Sequence, residues 1–292
     1  IVLLTNGNRT TYQTCMKKLL KRMVKRGGFD IVRATPKEKV EALIQKLHPR
    51  PIDKELIRIG PNADGGYLVP DDLDGITTCF SPGVGRVSQF EQDCLNRGMK
   101  VFMADKSVDK PNLDVPADQY DFIKKHIGTV NNSEFTTMDQ WVSTFSLNED
   151  EDMLLEMDIE GAEYYSLLNM SDFLARRFRI MIIEFHTMHH LWNPYFFELA
   201  EAAFNKVLQT HTCVHIHPNN CCGIKYQNGV AIPRVIEMTL LRNDRVNIVN
   251  KRLEFPHKLD YDNYPNNPEK KHIVLPPNWY SVGQPVRDPV AQ

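Results

Sequence analysis

Residues 76–91, ITTCFSPGVGRVSQFE, constrain the fold more than any other stretch of this chain. A β-prone run, 76–80, meets the turn Ser81-Pro82-Gly83-Val84-Gly85, and a helix-compatible segment, 87–96, follows at once. Glycines at such a junction remove the Cβ atoms that would hold a ligand off the backbone, and a helix N-terminus there offers unpaired N–H groups. Strand, glycine turn and helix read as the opening βα unit of a nucleotide-type site in an α/β sheet. The next strand-like run, Lys100–Ala104, ends on Asp105, about 20 residues past the second glycine. Such folds place a carboxylate there to take a ribose diol.

The remaining chain keeps alternating strands and helices. Residues 11–26 read as a basic helix with a solvated face, and 35–47 as a second, with Thr35-Pro36 as cap and first residue. Residues 56–59 and 67–69 are short β-prone pieces around an Asp64-Gly65-Gly66 turn, which by residue chemistry is a hairpin. Further strands are expected at 152–157, 179–183, 213–216 and, as one long strand, 232–241; helices at 164–169 and 194–208 separate them. The pattern argues for a doubly wound, mostly parallel sheet with an antiparallel hairpin at one edge. The simplest partition is a helical lead-in (1–50), an α/β core (51–245), and a Pro- and Asn-rich segment (246–292) that wraps the outside and ends in a tail at 284–292.

Composition narrows the function classes. Among 292 residues, 35 Lys and Arg nearly balance 37 Asp and Glu, so no general electrostatic grip on nucleic acid is expected. No run is long enough for a membrane span. The six cysteines form no C-x-x-C pair for zinc, and the adjacent Cys221-Cys222 makes a poor disulfide; reduced thiols in a cytoplasmic setting fit better. A start on Ile1 fits one domain of a longer polypeptide.

Ligands of open α/β sheets bind outside the carboxyl ends of the strands. The expected strand ends carry Ser81 and Gly83, Asp105, Asp158 and Glu160, Glu184 and His186, then His217 with Asn219 and Asn220. Residues at i and i+2 of an extended strand point to the same side, so the pairs Asp158/Glu160 and Glu184/His186 could converge. Two jobs suit them: deprotonating an alcohol, with His186 best matched to neutral pH, or holding an oxygen-preferring divalent ion through Asp158, Glu184 and His186. The blander readings are Asp158 as a helix cap, Glu163 as a surface ion-pair partner and His186 as a core histidine. His217-Pro218-Asn219-Asn220 reads as a substrate-side loop, and Trp192 as an apolar face for a sugar ring or as core packing.

Three motifs together resemble a known family. Asp158-Ile159-Glu160-Gly161-Ala162-Glu163 is similar to the D-x-E-G-x-E signature of FkbM-type S-adenosylmethionine-dependent methyltransferases. Phe80-Ser81-Pro82-Gly83-Val84-Gly85 with Phe90-Glu91 resembles the first cofactor motif of a methyltransferase-like branch. That branch also carries R-x-G-x-x-x-D-G-G-Y, here residues 58–67. The resemblance covers roughly residues 56–241 and implies a class I methyltransferase (Rossmann-like) fold. It implies S-adenosylmethionine as cofactor and O-methylation of a hydroxyl on a sugar or glycan. Cofactor contacts implied are Asp64, Tyr67, Ser81, Gly83, Val84, Gly85, Ser88, Glu91, Asp105, Lys106 and Asp158. Phe80-Ser81 stands where such motifs often open on an acid, leaving Glu91 as candidate for the amino-group contact. His186, Glu184 and Asp158 are the implied catalytic residues; Glu160, His186, Trp192, His217, Asn219 and Asn220 face the acceptor. Mg²⁺ or Mn²⁺ is the candidate ion.

Two other classes use parts of the pattern. A nicotinamide-dependent oxidoreductase also uses a glycine turn and an acidic second strand, but Arg86-Val87-Ser88 after Gly85 breaks the G-x-G-x-x-G spacing. A non-catalytic glycan-binding module needs neither Asp105 nor the Asp158/Glu160 pair.

Overall fold

A computed structural model of the chain describes residues 33–85 and 87–281. The expected basic helix at 11–26 and the tail at 284–292 lie outside the described residues. The first helix, α1 (Lys37–Lys46), begins one residue later than expected, and Thr35 Oγ1 is buried without a capping bond.

The hairpin reading of residues 56–70 holds: β1 (Leu56–Ile59) pairs antiparallel with β2 (Tyr67–Pro70). Seven strands form the main sheet. They are β3 (Thr78–Pro82), β4 (Lys100–Ala104), β5 (Tyr120–Ile123), β8 (Met153–Met157), β9 (Phe178–Phe185), β10 (His211–Pro218) and β13 (Ile236–Arg242). Two short pairs stand apart, β6 (His126–Ile127) with β7 (Phe135–Thr136) and β11 (Ile224–Gln227) with β12 (Val230–Pro233). The order across the main sheet is β10-β13-β9-β8-β3-β4-β5. The contacts β9–β8–β3–β4–β5 are parallel, and β13 runs antiparallel to both β9 and β10. This is the doubly wound, mostly parallel α/β sheet that the sequence predicts, with its antiparallel pair at one edge.

The expected long strand at 232–241 is instead two. Pro233 closes β12, and Arg234 turns its N–H to the Gly223 carbonyl (3.0 Å) and its carbonyl to the Met188 N–H (3.0 Å). Cys221 and Cys222 are joined in a disulfide on the turn before β11, against the expectation of free thiols there.

Alternation along the strands, broken by irregularities near the start of β9 and within β10, splits the core into two layers. On β9, Met181, Ile183 and Phe185 face one side, while Ile180 and Ile182 face the other. The first layer takes α1, α3 (Met138–Ser143), α4 (Glu163–Asn169), α5 (Asp172–Arg177) and α6 (Pro194–Val207). At its centre Phe80 stacks on Phe102 (4.7 Å between centroids) and meets Trp141 edge-on (5.0 Å). The second layer takes the β1–β2 hairpin and α2 (Gln89–Asn96). The helix starts follow local chemistry: Asn193 Oδ1 accepts from the N–H groups of Tyr195 and Phe196, and Pro194 sits at the first helical position. Burial on both faces leaves only the strand ends for polar chemistry. Because β3, β4, β8, β9 and β10 run the same way, their carboxyl ends open on one rim, and the antiparallel β13 brings its first residues there too.

Candidate active site

The two glycines of the turn have different jobs. Gly83 (φ 97°) lies so close to the chain leaving β8 that a Cβ would come 1.5 Å from the Asp158 carbonyl oxygen. Asp158 N–H in turn donates to the Pro82 carbonyl (3.1 Å). Gly83 therefore admits backbone rather than a ligand. Gly85 (φ 55°) faces open space, with nothing within 4 Å of a Cβ, and keeps the ligand-facing role read from sequence. Its N–H donates to Asp105 Oδ2 (3.0 Å), and the Ser107 N–H donates to Oδ1 (2.6 Å). Asp105 is thus fixed at the end of β4 beside the turn.

A cavity of ≈ 250 Å³ opens here. It is lined by Asp64, Gly65, Tyr67, Gly83, Val84, Gly85, Val87, Phe90, Glu91, Asp105, Ser107, Glu156, Asp158 and Glu160. Most of the sequence-predicted cofactor contacts meet in it. Three do not reach it: Ser81 is buried beneath it, Ser88 Oγ accepts from the Asn112 N–H (3.1 Å), and Lys106 pairs with Glu134 (3.1 Å). Ser81 Oγ lies within hydrogen-bond reach of both Glu91 and Glu156. A hydroxyl has one proton to give, so one of these carboxyls must itself be protonated for both contacts to be hydrogen bonds. Burial pushes Glu91 up to about 7 against the Ser81 bond, and pushes Glu156 up with Glu91 adding to it.

Deeper along the rim, His186 is ringed by acids. Its Nδ1 bonds Glu163 Oε1 at 3.1 Å, and its Nε2 faces Glu160 Oε2 (3.4 Å), Glu184 Oε1 (3.5 Å) and Asp158 Oδ1 (3.8 Å). The Tyr164 hydroxyl donates to the His186 carbonyl (2.7 Å) and fixes the backbone. Burial opposes a charge on His186, yet Glu163, Asp158 and Glu160 together raise it to about 9. The surrounding acids thus favour the charged ring, where the sequence reading expects a group matched to neutral pH. Burial pushes Asp158 up to about 7, with His186 pulling against it and Glu160 adding to it. Glu184 is pushed up by burial and by Asp158. Glu163, read from sequence as a possible surface pair, is wholly buried and orients the ring. Glu160 joins Asp158 and His186 in a compact cluster whose donor atoms lie within 4.8 Å of one another, where the sequence reading had named Glu184 as third ligand. Glu160 takes its place through a left-handed backbone (φ 55°).

Of the substrate-side residues, Asn219 donates to Glu184 Oε1 (3.1 Å). Asn220 donates to the Lys270 carbonyl (3.2 Å) and accepts from the Tyr264 N–H (3.0 Å), so it organises the outer segment. His217 stands 3.7 Å from Asp260; burial opposes its charge, but Asp260 and Glu237 raise it. Trp192 packs in the first core layer and does not line the cavity.

The Pro- and Asn-rich outer segment also supplies the site. Asn263 Nδ2 donates to Asp64 Oδ1 (3.0 Å) and to Glu237 Oε1 (2.6 Å), and the Tyr264 hydroxyl donates to Asp64 Oδ2 (3.3 Å). Arg58 braces the hairpin loop by donating to the carbonyls of Pro61 (2.7 Å), Ala63 (3.2 Å) and Leu259 (3.3 Å). Sequence reasoning missed Glu156, Glu237, Asp260, Asn263 and Tyr264. A signal existed for two of them: a lone acid inside an apolar strand, MLLEM and IEMTLLR.

Among the described residues no helix is long and apolar enough to cross a membrane. No protein-family description matches the chain, and no curated protein does. Similar solved structures include a TehB-like SAM-dependent methyltransferase from Corynebacterium glutamicum, 12% identical over 80% of this chain and 100% of that one, with TM-score 0.29. Another is the 1,6-didemethyltoxoflavin-N1-methyltransferase of Burkholderia thailandensis with bound S-adenosylhomocysteine, 13% identical over 83% of this chain and 92% of that one, TM-score 0.29. The pyocyanin biosynthetic protein PhzM is 12% identical over 59% of this chain and 52% of its own, TM-score 0.27.

Proposed function

We propose that the chain is an S-adenosylmethionine-dependent O-methyltransferase acting on a hydroxyl of a sugar or glycan. One observation carries the reading: the glycine turn, the pinned Asp105 carboxylate and the Asp158 end of the acidic rim share a single cavity. The lining suits the cofactor. Asp105 has its backbone bonds on one side and lone pairs left for a ribose diol, Gly85 leaves room for close approach, and an acidic lining favours a cationic sulfonium. When bound, S-adenosylmethionine supplies an electrophilic methyl group, so the hard chemistry is the cofactor's.

What remains for the protein is alignment, exclusion of water and removal of one proton. Asp158, at the cavity's inner end, orients the acceptor hydroxyl. In the displacement the acceptor oxygen would take the methyl carbon, the carbon–sulfur electron pair would stay on sulfur, and the rim residues Glu184 and His186 would take up the hydroxyl proton. Glu184 and His186, 3.5 Å apart, are the candidate proton acceptors. The hydrogen-bonding Asn219 beside Glu184 fits a polyhydroxylated acceptor. Methyl transfer from labelled S-adenosylmethionine to a panel of free sugars and glycans tests the reading. Transfer only to amines, or to none of the hydroxyl acceptors while the cofactor binds, contradicts it.

A further inference from the structure

We propose that Asp158, Glu160 and His186 form a divalent-cation site, with Glu163 orienting the imidazole. Geometry points to it: the Nε2 separations of 3.4 Å from Glu160 and 3.8 Å from Asp158 are too long for charge-assisted hydrogen bonds, which run about 2.7–2.9 Å. The Glu160 separation matches the spacing of donors around a shared ion, since ligands each about 2.1 Å from a metal stand about 3.0–3.5 Å apart at octahedral or tetrahedral angles, and the donor atoms of Asp158, Glu160 and His186 all lie within 4.8 Å of one another.

The ring is also set as a metal-binding histidine is. Glu163 Oε1 holds Nδ1 and also accepts the Gly161 N–H (2.9 Å), so Nε2 is presented to the three carboxylates. A separate observation points the same way: Asp158 Oδ1 is sealed from solvent and has no hydrogen-bond partner, with His186 Nε2 3.8 Å away. One imidazole nitrogen with carboxylate oxygens suits Mn²⁺ or a similar first-row ion better than Ca²⁺, which wants six to eight oxygens. The ion takes the place of the proton on Nε2. The site stands without the methyl-transfer reading; under that reading, the ion would hold the acceptor hydroxyl and lower its pKa.

The test is titration of Mn²⁺ into the EDTA-stripped full chain without methyl donor, followed by electron paramagnetic resonance. Expected are loss of the free-ion signal, nitrogen coupling from one imidazole in the bound spectrum, and affinity about 10–100-fold weaker in Glu163→Gln. His186→Ala should abolish the nitrogen coupling, with circular dichroism confirming that it folds. No binding, binding without imidazole coupling, or binding unchanged in both variants overturns the site. Calorimetry of S-adenosylhomocysteine on the same stripped protein reports separately on the cofactor, so failure of one reading is distinguishable from failure of the other.

Discussion

Gly83 and Asp158 touch backbone to backbone, the first at the end of β3 and the second at the end of β8, so that a side chain on Gly83 would occupy the Asp158 carbonyl. The turn that shapes the cavity and the acid at its inner end are thereby one mechanical unit. Moving either displaces the other.

Gly83→Ala and Gly85→Ala should consequently differ in kind. Gly83→Ala meets fixed backbone at 1.5 Å in a left-handed conformation and should cost about 3 kcal/mol or more, read by urea denaturation. Gly85→Ala meets nothing and should cost only the left-handed penalty of about 1–2 kcal/mol, while weakening cofactor binding because its methyl enters the cavity. Equal losses of stability would show that the turn is not built as described.

Glu91→Gln should alter the pH dependence of stability. Glu91 is raised from 4.5 to about 7 in the fold, so between those values the folded state binds more protons than the unfolded one. The stability it contributes is complete below pH 4.5 and is lost as pH rises through about 7. The variant, which cannot ionise, should gain on the wild type by about 1–3 kcal/mol between pH 5 and 8. Parallel denaturation midpoints across that range would count against the buried, shared proton.

Arg58→Met should loosen the hairpin loop without touching the cavity directly. The guanidinium holds three carbonyls, and buried acceptors left without a donor cost about 1–3 kcal/mol each. Stability should fall, and Asp64 should become mobile, seen as faster amide exchange across residues 60–66. Unchanged exchange there would show that the loop holds itself.

Much of this was legible in the residues, and the exceptions have a physical cause. β3, β4, β8 and β9 are buried on both faces and read as apolar runs, so their ends, and with them Asp105, Asp158 and His186, could be placed from sequence. Glu156 and Glu237 gave only the signal of a lone acid in an apolar strand, which ordinarily marks a solvent face, and the assembled sheet turns both inward. The charge on His186 was misjudged for a related reason: Glu163 is wholly buried beside it, which no spacing in D-x-E-G-x-E announces. Asp260, Asn263 and Tyr264 come from a Pro- and Asn-rich stretch without periodicity, whose place depends on tertiary bonds, Asp260 to His215 and the other two to Asp64 and Glu237.

Calorimetric titration of S-adenosylmethionine into the wild type and Asp105→Asn tests the central claim most directly. Binding in the micromolar range, about −8 kcal/mol, is expected for the wild type, with NAD giving no heat. Loss of a charged hydrogen-bond acceptor predicts affinity about 10–100-fold weaker in Asp105→Asn. Absence of S-adenosylmethionine binding, or equal affinity in both proteins, would contradict the account.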